Sequence, residues 1–324
     1  MAVLHLFPAV VLLAFPLLLF PTVAGAYRFP SRNIHNVYQF PNGTWVENIA
    51  VRSNGNLLVT LVDTPELWEI NPFEQSRDAA ATLIHHFDGM PSMTGITEIE
   101  PDVFAVGSPQ TLWRVDFTSA QAPAVSEIAT LPKALNLNGM ATLDAARGLV
   151  LVADSMLGVV WRINVYTGEH AIVLEDARTM APNTYLGPLV GIDGLRILGD
   201  YVYYNNCPRR LYCRVRIDPV TATAVGSYEL ISNNTMADDF ALSPQGVGYL
   251  AGLIDNVITK VHSNGTHQVI AGAANSTDFA GATSAAFGRT ELDRDVLYVT
   301  TGGASGIPVL SNFFEGGKIM ALRL

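Results

Sequence analysis

Charge is scarce in this 324-residue chain: Asp, Glu, Lys and Arg make up 15% of it, 19 basic residues against 29 acidic, for a formal net charge of −10. No cluster of Lys or Arg occurs, so nothing is present to neutralise a phosphate backbone, and nucleic acid is excluded as a partner. Several catalytic signatures are missing as well. There is no G-x-S-x-G elbow, no H-E-x-x-H, no C-x-x-C, no P-loop and no G-x-G-x-x-G, which leaves serine hydrolase, zincin, thiol-redox and nucleotide-binding chemistry without local support. Past the first 26 residues, no apolar run is long enough to span a bilayer. His85 and His86 are adjacent and on a strand would point to opposite faces, which reads as structural or surface placement.

What the chain has instead is repetition. The stretch from Asn136 to Gly168 carries three strand-length apolar runs, Met140–Leu143, Leu149–Ala153 and Val159–Val165, separated by Gly, Asp, Ser and Asn, as in an antiparallel meander. A polar residue, Asn138, stands just before the first run, and Trp161 to Asn164 closes the third. The same landmarks recur five more times, opening at Glu47, Thr94, Asp193, Asp238 and Thr283. In chain order the six openings step by 47, 44, 55, 45 and 45 residues, the length of a four-stranded propeller blade. The expected fold is therefore all-β, a six-bladed propeller with four-stranded antiparallel blades around a central channel, filling residues 27–324.

In such a toroid each first strand lies innermost, so residues at equivalent positions form a ring around one channel mouth. That ring is Glu47, Thr94, Asn138, Asp193, Asp238 and Thr283. Each taken alone also reads as a polar turn residue at a strand entry. Taken together, three converging carboxylates repel one another unless protons or a cation neutralise them, and their hard oxygens suit Ca²⁺ or a similar ion. Apolar and aromatic neighbours, Trp45, Met93, Met236, Phe240 and Phe279, suggest a mouth that takes hydrophobic, sparsely oxygenated small molecules.

Residues 1–26 read as a secretory signal, with an apolar core Leu6–Phe20 and Ala24 and Ala26 in an A-x-A pattern. Four N-x-S/T sequons, at Asn42, Asn233, Asn264 and Asn275, fit passage through the secretory route as N-glycosylation sites. Cys207 and Cys213 flank a short connection in the fourth copy, and in that oxidising compartment a disulfide between them is expected. Asn33–Phe40 has strand character but no blade of its own; pairing it with the last copy would remove two sheet edges at once. That last copy carries a Gly-rich insertion, Thr301–Gly317, a candidate lid or rim loop.

Five motifs in order, E-N-I-A-V-R at Glu47–Arg52, L-N-G-M at Leu137–Met140, G-I-D-G-L-R at Gly191–Arg196, D-D-F-A-L at Asp238–Leu242 and T-S-A-A-F-G-R at Thr283–Arg289, resemble the SMP-30/gluconolactonase-like superfamily, and more closely its secreted fungal branch. For the lactonase members the resemblance implies a divalent cation at the channel mouth, held by positions matching Glu47, Asn138, Asp193 and Asp238. The chain departs from that pattern at Asp193, where the family has Asn. For the fungal branch it implies hetero-Diels–Alderases that join a tropolone-derived o-quinone methide to a sesquiterpene such as humulene. That reaction requires no cofactor, only a shaped apolar pocket and a donor to the heterodiene carbonyl.

The leading expectation is thus a pericyclase of natural-product biosynthesis, secreted or lumenal and monomeric, using the ring residues for catalysis and the apolar neighbours for substrate. A Ca²⁺-dependent lactonase or ester hydrolase is the second. A non-catalytic binding propeller is the third.

Overall fold

The computed structural model describes residues 33–324 except 75, 77–79, 120, 186 and 188; the expected signal, residues 1–26, lies outside the described residues. Twenty-four strands form six four-stranded antiparallel sheets. The six first strands, Val46–Val51, Ile96–Glu100, Leu137–Asp144, Ile192–Leu198, Phe240–Leu242 and Ala282–Phe287, neighbour one another in a closed ring, which makes the molecule a six-bladed propeller.

Burial follows strand position. Second strands such as Leu57–Leu61, Val103–Gly107 and Leu149–Asp154 are buried at every residue, because a strand covered on both faces by adjacent blades needs a continuous apolar run. Fourth strands such as Ala124–Thr130 and His170–Glu175 lie at the rim and are largely exposed. Six apolar cores fill the six blade-to-blade joints; one, for instance, packs Val103 and Leu112 of blade 2 against Val150 and Trp161 of blade 3. Threonine hydroxyls stitch the joints nearest the channel. Thr60 Oγ1 donates to the Thr94 carbonyl, Thr94 Oγ1 to Leu137 (2.6 Å) and Thr283 Oγ1 to Val46 (2.6 Å).

The ring is closed by the N-terminal segment. Ile34–Gln39 pairs antiparallel with Lys318–Arg323, Ile34 opposite Leu322 and Gln39 opposite Lys318, and so completes the sixth blade as the sequence suggests.

The expected disulfide is not formed. Cys207 and Cys213 are both free and buried. Cys213 sits opposite Tyr204 in the fourth blade's sheet, three residues from Cys207, and at about 3.4 Å per residue this offset amounts to roughly 10 Å, more than the ~7 Å between Cα atoms that a disulfide spans. Cys213 faces the core between blades 3 and 4. Cys207 faces the channel mouth.

Candidate active site

Four ring residues, Glu47, Asn138, Asp193 and Thr283, are the second residue of their first strands; Thr94 and Asp238 precede theirs by two. The next residue along is glycine in three blades. A Cβ on Gly95 would lie 2.0 Å from the Asn138 carbonyl oxygen, one on Gly139 2.4 Å from that of Asp193, and one on Gly194 2.1 Å from Asp239 Oδ1. Blades 2 to 4 therefore converge on the axis backbone to backbone, an approach no other residue permits.

Around the axis the functional groups meet. Trp45 Nε1 donates to Glu47 Oε2 at 2.6 Å. Asn138 Nδ2 donates to Glu47 Oε1 at 3.4 Å and, in a short bond, to Asp193 Oδ1. Asp193 and Asp238 bring carboxyl oxygens within 4.8 Å of each other. Two buried carboxyl groups so placed repel unless they hold a proton between them or a cation neutralises them.

The electrostatics agree with the geometry. Among the described residues, no Lys, Arg or His forms an ion pair with Glu47, Asp193 or Asp238. Burial raises the pKa of Glu47, and it raises those of Asp193 and Asp238 well above the usual carboxylate range; the negative neighbours add to the effect. Glu47 keeps some surface open to the cavity, yet it too is held from bulk water. The Cys207 thiol is pushed up by burial and then by Asp238 and Asp193, so it stays a thiol.

Directly beneath, the channel is crossed by a brace. Asp239 Oδ2 accepts from Asn48 Nδ2 (3.0 Å), Arg196 Nη2 (3.1 Å) and Ser284 Oγ (3.2 Å), while Oδ1 accepts from the Phe240 amide (2.7 Å). Asn48, Asp239 and Ser284 each follow a ring residue, so the brace fixes the floor to blades 1, 4, 5 and 6.

Above the floor opens a cavity of about 400 Å³. Glu47, Thr94, Asn138, Asp193 and Asp238 line it, together with Trp45; Thr283 does not, its hydroxyl being spent on the Val46 carbonyl. The other four apolar candidates do not line it. Met93 lies in the core between blades 1 and 2, Phe279 in that between blades 5 and 6, and Phe240 packs edge-on against Tyr212 at 5.1 Å. Met236 sits one layer behind the wall, its sulfur 3.6 Å from Cys207 Sγ. Met93 is the immediate neighbour of Thr94, and on an extended chain neighbours face opposite ways. Met236 and Phe279 precede their first strands, where strand alternation does not set the direction, and Phe240 opens its strand and turns into the joint between blades 4 and 5.

Sequence reasoning missed the loop positions. Val62, Ser155, Cys207 and Leu253 each follow the last residue of a second strand, at the same place in four repeats, and all four line the cavity. That repeat position was the available signal. The Thr301–Gly317 insertion contributes Gly306 and Ile307 to the wall.

As a cation site the donor set is adequate. Glu47, Asn138, Asp193 and Asp238 offer hard oxygens of the kind a divalent ion takes. Ligand atoms of Asp193, Asp238 and Cys207 lie within 4.8 Å of one another, although a thiol is a soft ligand that Ca²⁺ does not favour.

No family model matches the chain. A curated protein of Sarocladium schorii, whose name assigns it as the hetero-Diels-Alderase asR5, is 34% identical over 317 residues, covering 84% of this chain and 78% of its own. A Phoma protein assigned by name to the same activity is 31% identical over 314 residues, covering 84% and 86%. Solved structures of similar shape include a luciferin-regenerating enzyme (TM-score 0.67, 14% identity, covering 90% of this chain and 95% of that one). The calcium-binding protein regucalcin of Agrobacterium tumefaciens (0.64, 16%, covering 89% and 92%) and a gluconolactonase of Xanthomonas campestris (0.63, 12%, covering 93% and 92%) are similar as well. These structural likenesses speak for the fold. The identities and spans of the two fungal proteins speak for more, and by them the chain belongs to the hetero-Diels-Alderase family, carried on a six-bladed propeller of the gluconolactonase and regucalcin type.

Proposed function

We propose that the cavity joins an electron-poor heterodiene, of the o-quinone methide type, to the double bond of a sesquiterpene in a concerted [4+2] cycloaddition. The observation that carries this reading is a cavity walled on one side by Trp45, Val62, Leu253 and Ile307, over a floor of an amide and buried acids whose pKa values burial raises. Such a reaction forms one C–C and one C–O bond at the expense of two π bonds, and no proton, electron pair or leaving group enters or departs. What the protein must do is hold two partners in register and stabilise the negative charge that grows on the heterodiene oxygen. A carboxylic acid kept neutral by burial is a strong donor for that oxygen, and Asp238, whose pKa burial and the neighbouring Asp193 raise well above the usual carboxylate range, lines the cavity where it can serve. Asn138 holds the carboxyl groups of Glu47 and Asp193 in position, and the Asp239 brace keeps bulk water from entering beneath.

A divalent cation held by Glu47, Asn138, Asp193 and Asp238 would supply a Lewis acid at the same place. That donor set is what favours the second reading, lactone hydrolysis. We further propose passage through the secretory pathway, supported by the apolar N-terminal run and by the exposure of Asn42, Asn233, Asn264 and Asn275.

The test is to generate an o-quinone methide in the presence of humulene, with and without purified protein, and to follow rate and enantiomeric excess in EDTA and in Ca²⁺. Rate acceleration with one enantiomer in excess, in EDTA, is the expected result. Racemic product at the background rate, together with Ca²⁺-dependent hydrolysis of an aldonolactone, would transfer the assignment to the lactonase.

A further inference from the structure

The cavity wall is divided by blade. On the side of blades 2 to 4 it is polar: Ser92, Asn136, Ser155 and Cys207 rise from the loops above Thr94, Asn138 and Asp193, and Val190 is the one aliphatic side chain there among the described residues. On the side of blades 5, 6 and 1 the wall above the floor acids Asp238 and Glu47 is made by Leu253, Ile307, Trp45 and Val62, and those two acids, at the floor, are the polar side chains of that side among the described residues. A cavity with one oxygen-rich wall and one hydrocarbon wall suits two partners of unlike polarity laid face to face, since each wall would leave the other partner's surface badly matched.

The hydrocarbon wall is rigidly built. The Trp45 indole is fixed at its nitrogen by Glu47, and on its face lie two glycines of the sixth-blade loop. A Cβ on Gly302 would come 2.6 Å from Trp45 Cδ2 and one on Gly306 3.3 Å from Cζ3, so the loop backbone packs flat on the ring. The loop has a small core of its own, Ala280, Ala304, Val309 and Phe313, closed by paired backbone bonds between Val309 and Phe313. At its base Glu315 accepts from Gln39 Nε2 (2.8 Å) and pairs with Lys318 Nζ (2.6 Å). At its tip Ile307 stands at the cavity edge, 43% exposed. A large aliphatic side chain left this open on so well-anchored a loop has no core to fill, and the apolar surface it extends is the cavity's.

We infer that Trp45, Val62, Leu253 and Ile307 form the subsite for the alkene partner, opposite an oxygen-binding wall on blades 2 to 4, and that Ile307 sets which alkenes fit. This rests on the cycloaddition reading and assigns its two substrates to sides. Loss of the Ile307 side chain removes a contact to the alkene alone, an effect on the order of tenfold for a single apolar contact.

The experiment measures KM for each partner separately, for the wild type, Ile307→Ala, Ile307→Phe and, on the opposite wall, Ser155→Ala. Ile307→Ala should raise KM for humulene about tenfold and leave KM for the heterodiene within about twofold. Ile307→Phe should shift preference from humulene towards cyclohexene, and Ser155→Ala should raise KM for the heterodiene alone. Binding of cyclododecane, which cannot react, is followed by indole fluorescence; it should weaken in Ile307→Ala and stay unchanged in Ser155→Ala. Ile307 variants that alter both KM values equally, or neither, overturn the inference, as does cyclododecane binding indifferent to Ile307. If the wild type gives no cycloadduct but binds cyclododecane through Ile307, the reaction assignment fails and the hydrocarbon subsite stands.

Discussion

Replacing Asp193 by Asn should make the protein more stable at neutral pH and less sensitive to pH. The Asp193–Asp238 pair keeps a proton that the unfolded chain, with ordinary carboxyl groups, releases above the usual carboxylate range. A carboxyl group whose folded pKa is raised adds no pH dependence below the unfolded value. Above it the folded state binds the extra proton, so stability falls by about 1.4 kcal/mol per pH unit until the folded pKa is reached. In Asp193→Asn the amide oxygen would still accept from Asn138, while Asp238 loses its charged neighbour but stays raised by its own burial. One carboxyl group's proton uptake then disappears, and above the ordinary carboxylate range the two proteins' stability profiles should diverge by up to about 1.4 kcal/mol per pH unit. For a chain of this length that is roughly 3 °C in Tm per pH unit, at about 2 °C per kcal/mol. Melting curves in EDTA at several pH values measure the difference, with EDTA present because a bound cation would hold the carboxylates ionised and reverse the sign. Parallel profiles, or a variant that melts lower at neutral pH, would refute the shared proton.

Gly194→Ala should fail to accumulate as folded protein or melt far lower, since its Cβ would lie 2.1 Å from Asp239 Oδ1 and 2.6 Å from Asn205 Oδ1; overpacking typically costs about 1–3 kcal/mol and more where charged groups must move, and circular dichroism melts report it. Both cysteines should be alkylated in denatured, unreduced protein and neither rapidly in the native state, because burial pushes Cys213 up to about 12 and Cys207 also well above its ordinary value; mass spectrometry after a timed maleimide pulse decides this. Trp45→Phe removes the indole donor to Glu47, a bond to an acidic group worth about 1.5–3 kcal/mol, and should slow cycloaddition roughly tenfold. That donor favours the ionised carboxylate, so its loss should also move Glu47 upward and carry the alkaline limb of the pH–rate profile with it.

The blade count and the ring were legible because a propeller imposes one position per repeat, and Glu47, Asn138 and Asp193 stand there as polar residues in apolar surroundings. The closure by Ile34–Gln39 was legible too, as a strand with no partner in its own repeat. Which way a side chain faces was less so. Met93 and Phe240 are near ring residues in sequence, but only the pleat decides that they enter blade cores. The cysteine pair illustrates a third limit: closeness in sequence promised a bridge, and strand register, which no spacing reveals, set the two thiols on different sides of one blade.

The N-terminal strand's pairing with the last strand also orders events in time. Ile34 is among the first described residues to be synthesised and Leu322 among the last, and at about 5–20 residues per second the first must wait on the order of tens of seconds for its partner. Throughout that interval five blades can assemble, but the toroid stays an open arc whose end blades present an apolar face, while Ile34–Gln39 waits as an unpaired strand to which a foreign strand can add. Only when Lys318–Arg323 is made can that strand be satisfied and the sixth blade be filled between the first and the fifth.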